Sequence, residues 1–248
     1  MPTKHYYVFN NSGPMSCLDK EAWDSLRTGT ENPAFQFEQT LEEYEANCAR
    51  RTDCREVAKT IRDAVLSIDA EVSAVVSLGA GKGVVEWHLK KLLPLLPLVC
   101  TDYAESGVAS LRRLFRTCDK VIVFDMLKGD YSVFGKDAVL LMNRVSTEFT
   151  PSEWRQIFKS CKSAGIKYIL FIPTELASIR LKVMEFLHHM ARKILWRHDS
   201  FCGWLYGKCE IESLMSKYYR IETFNRMSDS GLYVLNANEP RCGSVSAT

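Results

Sequence analysis

The stretch AVVSLGAGKG, at positions 74–83, decides the fold of this chain. A short apolar run of the length of a buried strand ends at three glycines on alternate positions, and a helical pattern begins directly after them. Glycine permits a tight turn and carries no Cβ, so a ligand can lie almost against the main chain where the strand ends. The stretch therefore predicts a strand, a cradle for a nucleotide-like cofactor and a helix.

Composition limits the class of protein. The chain has 248 residues, 46% of them apolar and 25% charged, which is ordinary for one α/β domain with a sizeable core. The formal net charge of +2 is too small to indicate a nucleic acid, a membrane surface or an acidic partner. The longest apolar stretch, at 92–100, contains Pro94 and Pro97 and is too short to cross a bilayer.

Cysteine usage and the first residues give an expectation for localisation. Nine cysteines are scattered without a Cys-x-x-Cys pair, and no charged-then-apolar leader follows Met1. Both features predict reduced thiols and a cytoplasmic protein. The adjacent His188 and His189 point about 100° apart on a helix, so they rarely bind one ion together, and no metal site is predicted.

The chain divides into three regions. Residues 1–70 predict a helical N-terminal extension, in which a loop with short helical turns precedes helices at 37–48 and 53–68. Residues 71–237 alternate short apolar strands with helices, the pattern of a parallel sheet covered on both faces. Residues 238–248 are small and polar and predict a flexible tail.

Seven strands are predicted from apolar runs of strand length. They lie at 74–78, 97–101, 120–124, 138–142, 167–172, 218–225 and 231–236. Helices are predicted to begin near Lys82, Glu105 and Ser152, and two more lie at 177–196 and 210–217.

Polar residues follow three of these strands where each ends. Asp102 comes about twenty residues after the glycines, at the place where an acid accepts both hydroxyls of a ribose. Asp125 and Met126 close the third strand, and an acid followed by an apolar side chain suits an adenine, hydrogen-bonded at its amino edge and covered on its face. Asn143 and Arg144 break the apolar run of the fourth strand where the tail of a cofactor would pass.

With these residues, the stretch from about Val72 to Thr174 resembles the class I S-adenosylmethionine-dependent methyltransferases. The resemblance implies a Rossmann-like, doubly wound α/β fold, with a seven-stranded, mostly parallel sheet whose antiparallel last strand lies beside the fifth. It also implies S-adenosylmethionine as the cofactor, with the glycine loop under its methionine and ribose and the two acids on ribose and adenine. The implied cofactor-binding residues are Ser77, Gly79, Ala80, Gly81, Gly83, Asp102, Tyr103, Asp125, Met126, Asn143 and Arg144.

One departure from the family pattern keeps other functions open. Members usually carry Asp or Glu two residues before the first glycine, where this chain has Ser77, whose hydroxyl can accept from the cofactor's ammonium but brings no charge. The alternatives are a nicotinamide-dependent oxidoreductase, a non-catalytic S-adenosylmethionine-binding protein of the same fold, and an enzyme that transfers the aminocarboxypropyl group of the same cofactor. Val84, at the sixth position of the dinucleotide fingerprint, argues against the oxidoreductase.

The activity implied is in-line methyl transfer to a small-molecule acceptor. Alignment of the cofactor with the acceptor can account for much of the rate enhancement, so no catalytic residue is assigned. We expect residues 1–70 and the segment after strand five to form a lid over the acceptor, although each of their aromatic residues could instead pack between helices. These aromatic residues are Tyr6, Tyr7, Phe9, Trp23, Phe35, Phe37, Tyr44, Trp196, Phe201, Trp204 and Tyr206. A nucleic-acid acceptor is not expected, because no long basic patch is visible, and no pattern predicts the oligomeric state.

Overall fold

The computed structural model describes residues 3–7, 36–68, 70–174, 176–194, 200–227 and 230–237. The strands are β1 (Thr3–Tyr7), β2 (Ala74–Leu78), β3 (Leu98–Asp102), β4 (Lys120–Val123), β5 (Ala138–Asn143), β6 (Tyr168–Ile172), β7 (Ser200–Leu205), β8 (Arg220–Arg226) and β9 (Gly231–Asn236). The α-helices are α1 (Leu41–Arg50), α2 (Thr52–Leu66), α3 (Val84–Leu92), α4 (Glu105–Leu114), α5 (Pro151–Ser163), α6 (Ile179–Ile194) and α7 (Lys208–Met215). Short 3₁₀ turns lie at Tyr131–Phe134 and Ser146–Glu148.

Seven of the strands form one sheet in the order β4-β3-β2-β5-β6-β9-β8. The first five run parallel, and β9 is antiparallel to both of its neighbours, β6 and β8. The order reverses direction at β2, since β3 and β4 lie on one side of it and β5 and β6 on the other. The predicted doubly wound, seven-stranded sheet with an antiparallel last strand beside the fifth is therefore confirmed.

Two hydrophobic cores cover the two faces of this sheet, because alternate side chains of each strand point to opposite sides. On one face Val75, Val139 and Leu141 pack under α1 to α4. On the other face Leu140 and Met142 pack under α5 and α7. We call these the α1–α4 face and the α5/α7 face. Because both faces of the sheet are covered, its parallel strands are nearly continuous apolar runs, the pattern from which the sequence predicted them.

Helix α5 shows how the sequence fixes one of the covering helices. Thr150 is its N-cap, and its hydroxyl accepts from the Glu153 amide while the Glu153 side chain accepts from the Thr150 amide. Pro151 occupies the first helical turn, where its missing N–H costs nothing. The predicted helix start near Ser152 is confirmed.

The predicted loop at the beginning of the chain is wrong for residues 3–7. These residues form β1, which pairs antiparallel with β7 in a separate two-stranded sheet. These five residues do not alternate between apolar and polar side chains, so no local pattern predicts a strand. The partner strand is about 200 residues away in the sequence, and the pairing is irregular between His5 and Tyr6. The rest of the predicted loop with short helical turns, to about Asn32, and the tail at 238–248 lie outside the described residues.

Within the described ranges, none of the helices combines the length and the apolar character needed to cross a bilayer.

Candidate cofactor site

The loop between β2 and α3 has the backbone that its glycines predict. Gly79, Gly81 and Gly83 have φ angles of 71°, 59° and 69°, a left-handed region that favours glycine. A Cβ on Gly79 would lie 2.7 Å from Val145 Cγ1, and one on Gly83 would lie 2.9 Å from Leu111 Cδ2. A Cβ on Gly81 would meet nothing within 4 Å. Two of the glycines therefore allow close packing of the loop, and Gly81 borders open space where a ligand can approach the main chain.

Asp102 ties this loop to the end of β3. The side chain is only 5% exposed, and its Oδ2 accepts from the Gly81 amide at 3.0 Å while Oδ1 accepts from the Ala104 amide at 3.0 Å. A carboxylate has about four acceptor positions, so each of these oxygens can accept more than one hydrogen bond. Tyr103 follows it, half-buried. The predicted ribose acid therefore lies beside the open side of the glycine loop.

Asp125 and Met126 differ in exposure. Asp125 is half-buried, and its Oδ1 accepts from the amides of Leu127 at 2.8 Å and Lys128 at 3.3 Å, which closes the turn after β4. Met126 is buried in the core of the α5/α7 face. The structure brings the Asp125 carboxylate to the same edge of the sheet as Asp102, whereas the methionine side chain is part of the core.

The end of β5 holds an unsatisfied polar atom and a strained backbone. Asn143 Oδ1 is buried and has no hydrogen-bond partner among the residues that the structure describes. Arg144 has a φ of 58°, which an arginine rarely adopts, and its backbone is held by Ile172 and Thr174. Orphaned acceptors and strained residues concentrate at ligand sites. Both features are of the kind found at ligand sites, and the binding role predicted for this strand end stays a prediction.

Ser77 lies deeper than the sequence suggested. It is fully buried, and its hydroxyl donates to Glu86 Oε1 at 2.6 Å. Glu86 belongs to the first turn of α3, is 2% exposed, and has its pKa raised chiefly by burial. The hydroxyl therefore contacts a buried acid of the chain itself. Sequence reasoning missed Glu86, since an acid in the first turn of a helix is usually a solvated capping residue.

The N-terminal helices support the loop from behind. The Tyr44 hydroxyl of α1 donates to the carbonyl oxygens of Lys82 at 3.0 Å and Gly83 at 3.4 Å, and its ring is fully buried. Phe37 is also part of the core of the α1–α4 face. These two aromatic residues thus pack between elements, the alternative that the sequence left open for each of them.

The other predicted lid residues fall into three groups. Tyr206 is buried on the α5/α7 face and donates to the Phe149 carbonyl at 2.6 Å. β1, which contains Tyr6 and Tyr7, pairs with β7, which contains Phe201 and Trp204, so the two predicted lid segments do contact each other. The remaining lid aromatics lie outside the described residues.

A cavity of about 430 Å³ lies beside β4 on the α5/α7 face. It is lined mostly by apolar residues such as Val76, Val99 and Phe134, and it includes Asp125 but none of the glycine-loop residues. Of the polar residues at the strand ends, Asp125 lines this cavity, whereas Asp102, Asn143 and Arg144 do not. In the part of the chain that the structure describes, no three His, Cys, Asp or Glu side chains cluster so as to hold a metal ion.

Comparisons with known proteins relate this architecture to solved structures. No family model and no curated protein matches the sequence. The PH0226 protein of Pyrococcus horikoshii is 18% identical, with a TM-score of 0.57 over 76% of this chain and 93% of that one. Human N-acetylserotonin methyltransferase, in complex with SAM, is 14% identical with a TM-score of 0.57, over 80% of this chain and 56% of the human one.

Magnesium protoporphyrin IX methyltransferase of Synechocystis, with bound SAH, is 11% identical with a TM-score of 0.57, over 74% of this chain and 83% of that one. Identities this low carry information about the fold alone. The strand order, the antiparallel last strand and these likenesses agree: the chain has the fold of the class I S-adenosylmethionine-dependent methyltransferases.

Proposed function

We propose that the protein is an S-adenosylmethionine-dependent methyltransferase that acts on a small organic molecule. The observation that carries the proposal is the open space at Gly81, bordered by the buried carboxylate of Asp102. Both lie at the carboxyl edge of adjacent parallel strands, next to the point where the strand order reverses. Ligands of doubly wound sheets bind in this crevice.

The residues present fit an adenosyl cofactor with a methionine end. Asp102 would hold the ribose hydroxyls beside Tyr103, and Asp125 would accept from the amino group of the adenine. The main chain at 79–83, including Ala80, would lie under the ribose and methionine. The orphaned Asn143 Oδ1, with Arg144 beside it, would face the methionine end.

In this assignment the chain aligns two reactants and excludes water from them. The bound cofactor supplies an electrophilic methyl group, which an oxygen, nitrogen or carbon nucleophile of the acceptor would attack in line. Alignment of the two can contribute on the order of 7–11 kcal/mol, so the site needs no dedicated base for an already reactive nucleophile. The acceptor would bind over the carboxyl edge of the sheet.

A small acceptor is supported by charge and by the similar structures. The net charge of +2 offers no strong field for a polyanion. Similar structures include the human enzyme named for N-acetylserotonin and an O-methyltransferase of Planctomyces limnophilus in complex with apigenin, 12% identical with a TM-score of 0.54. Both names refer to small organic molecules.

Calorimetry with S-adenosylhomocysteine tests the proposal. The wild-type protein should bind the compound, and Asp102→Ala should weaken binding roughly ten- to a hundredfold, since a charged hydrogen-bonding group contributes about 1.5–3 kcal/mol. Asp102→Asn keeps the shape and one acceptor oxygen but turns its NH2 group toward one of the two backbone amides, so it should weaken binding, though less than Asp102→Ala. If the wild-type protein does not bind S-adenosylhomocysteine, the proposal is wrong.

The nicotinamide-dependent oxidoreductase remains the rival function. It would use the same loop and the same acid on the ribose. A fluorescence titration with NADH distinguishes the two functions: saturable binding of NADH without binding of S-adenosylhomocysteine would favour the oxidoreductase. Binding of S-adenosylhomocysteine without methyl transfer to a broad set of acceptors would favour the non-catalytic protein, and product analysis would detect transfer of the aminocarboxypropyl group.

A further inference from the structure

Among the described residues, Asp102 and Glu86 are the two buried acids around the glycine loop, and the proposed function uses only Asp102. Asp102 is held by two backbone amides. Glu86 is in the first turn of α3, directly after the loop, yet it makes no capping bond to Gly83. It extends instead toward β2, where Ser77 donates to it at 2.6 Å. Glu86 therefore lies behind the loop, on the α1–α4 face.

The groups around Glu86 do not balance its charge. Those close enough to interact electrostatically with it are Tyr44 of α1, Cys54 of α2, and Cys100 and Asp102 of β3. Each of these is an acid or a neutral donor. Among the described residues, none places a cationic group within ion-pair distance of Glu86. A carboxylate buried in this way lacks a counter-ion.

Burial raises the pKa of Glu86, and Asp102 raises it further, whereas the Ser77 hydroxyl and the Glu86 amide lower it. A cation that binds nearby would lower it as well, because an opposite charge favours the ionised form. The structure thus holds an acid whose charge is disfavoured until a positive group approaches. Ser77, which donates to Glu86, is two residues before Gly79. A positive group close to this pair would therefore lie at the glycine loop.

We propose that Glu86, held by Ser77, is a positioning residue that attracts the cationic methionine end of the ligand to the glycine loop. This inference rests on the proposed function, since S-adenosylmethionine carries an ammonium and a sulfonium. Glu86 acts through its field and through Ser77 without touching the reacting atoms. The chain thereby supplies from helix α3 the negative charge that its second strand lacks at position 77.

The affinities of three ligands that differ in positive charge distinguish this role from a purely structural one. S-adenosylmethionine has two positive groups, S-adenosylhomocysteine has only the ammonium, and 5′-methylthioadenosine has neither. Glu86→Gln keeps the shape and the acceptor for Ser77 but removes the charge. Calorimetry on this variant should show S-adenosylmethionine weakened about tenfold or more, S-adenosylhomocysteine weakened less, and 5′-methylthioadenosine changed by less than about twofold.

A charge swap provides a second, independent test. Ser77→Asp in the Glu86→Gln background moves the carboxylate from the helix to the strand, and the introduced amide can donate to it. Affinity for S-adenosylmethionine should recover to within about threefold of the wild-type value. Because Glu86→Gln removes a charge that burial disfavours, we expect the single variant to fold, and its melting temperature checks this.

Equal weakening of all three ligands in Glu86→Gln would overturn the inference, since it would show that Glu86 only shapes the loop. Unchanged affinity for S-adenosylmethionine would overturn it too, as would a failure of the swap to recover binding. A wild-type protein that binds none of the three ligands would instead contradict the proposed function itself.

Discussion

The two faces of the central sheet bury different kinds of residue. On the α1–α4 face the interior includes the carboxyl of Glu86, the imidazole of His88 and the hydroxyl of Tyr44. On the α5/α7 face Trp154 stacks on Phe158 with ring centroids 5.4 Å apart. The α1–α4 face carries the helix that follows the glycine loop, whereas the α5/α7 face is built for packing. The difference lies in the kind of polar group: the α1–α4 face buries a carboxyl and an imidazole, whereas the α5/α7 face buries tyrosine hydroxyls, such as those of Tyr131 and Tyr219, that donate to backbone carbonyls.

Trp154→Ala on the α5/α7 face should produce the largest change. The tryptophan is fully buried, contacts Phe171 edge to face at 5.2 Å, and donates from Nε1 to the Ser146 carbonyl at 3.2 Å. Its truncation should lower the free energy of unfolding by about 3–5 kcal/mol in urea titrations. Affinity of the folded protein for S-adenosylhomocysteine should stay within about twofold.

Exposed Val133 provides the control, since Val133→Ala on the same side of the sheet should change stability by less than about 0.5 kcal/mol. A large loss of affinity in Trp154→Ala, measured well below its melting temperature, would contradict the division between the two faces.

The glycine loop allows a sharper comparison within the α1–α4 side. Gly83→Ala adds a Cβ at positive φ and 2.9 Å from Leu111, so it should destabilise the fold by about 2–3 kcal/mol. Gly81→Ala adds a Cβ at positive φ but in open space, so it should destabilise by only about 1–2 kcal/mol. Thermal and urea unfolding measure both changes.

Binding should follow the opposite order. A Cβ on Gly81 would enter the space proposed for the cofactor, and it should weaken S-adenosylhomocysteine binding roughly tenfold or more. A Cβ on Gly83 would point into the packing with α4 and should affect binding less. If Gly83→Ala loses affinity and Gly81→Ala keeps it, the open space at Gly81 is not the ligand site.

The sequence predicted the sheet and its polar strand ends well because both follow from local patterns. Each buried strand is a short apolar run, and Asp102 and Asn143 end such runs on β3 and β5, the two strands that flank β2. β1 was missed because its identity depends on pairing with β7, which is remote in the sequence. The contact between Ser77 and Glu86 was missed because it depends on the rotation of α3 against β2, which no local pattern records.

The pH dependence of stability tests the buried acid directly. In the folded protein the pKa of Glu86 is raised above its usual value of 4.5, so the folded state keeps a proton that the unfolded state has already lost. Stability from this group is full below about pH 4.5 and falls as the pH rises through the folded pKa. One proton limits the slope to about 1.4 kcal/mol per pH unit.

Comparison with Glu86→Gln isolates this contribution from that of His88, another buried titratable group. Burial lowers the pKa of His88, whose usual value is 6.5, so its protonation on unfolding reduces stability as the pH falls below that value. His88 is present in both proteins, and its effect cancels in the difference between their urea-unfolding free energies. That difference should shift in favour of the Gln variant as the pH rises above about 4.5. A difference that does not vary between pH 4 and 8 would show that Glu86 titrates as a solvated acid, and the two faces would then be alike in their electrostatics.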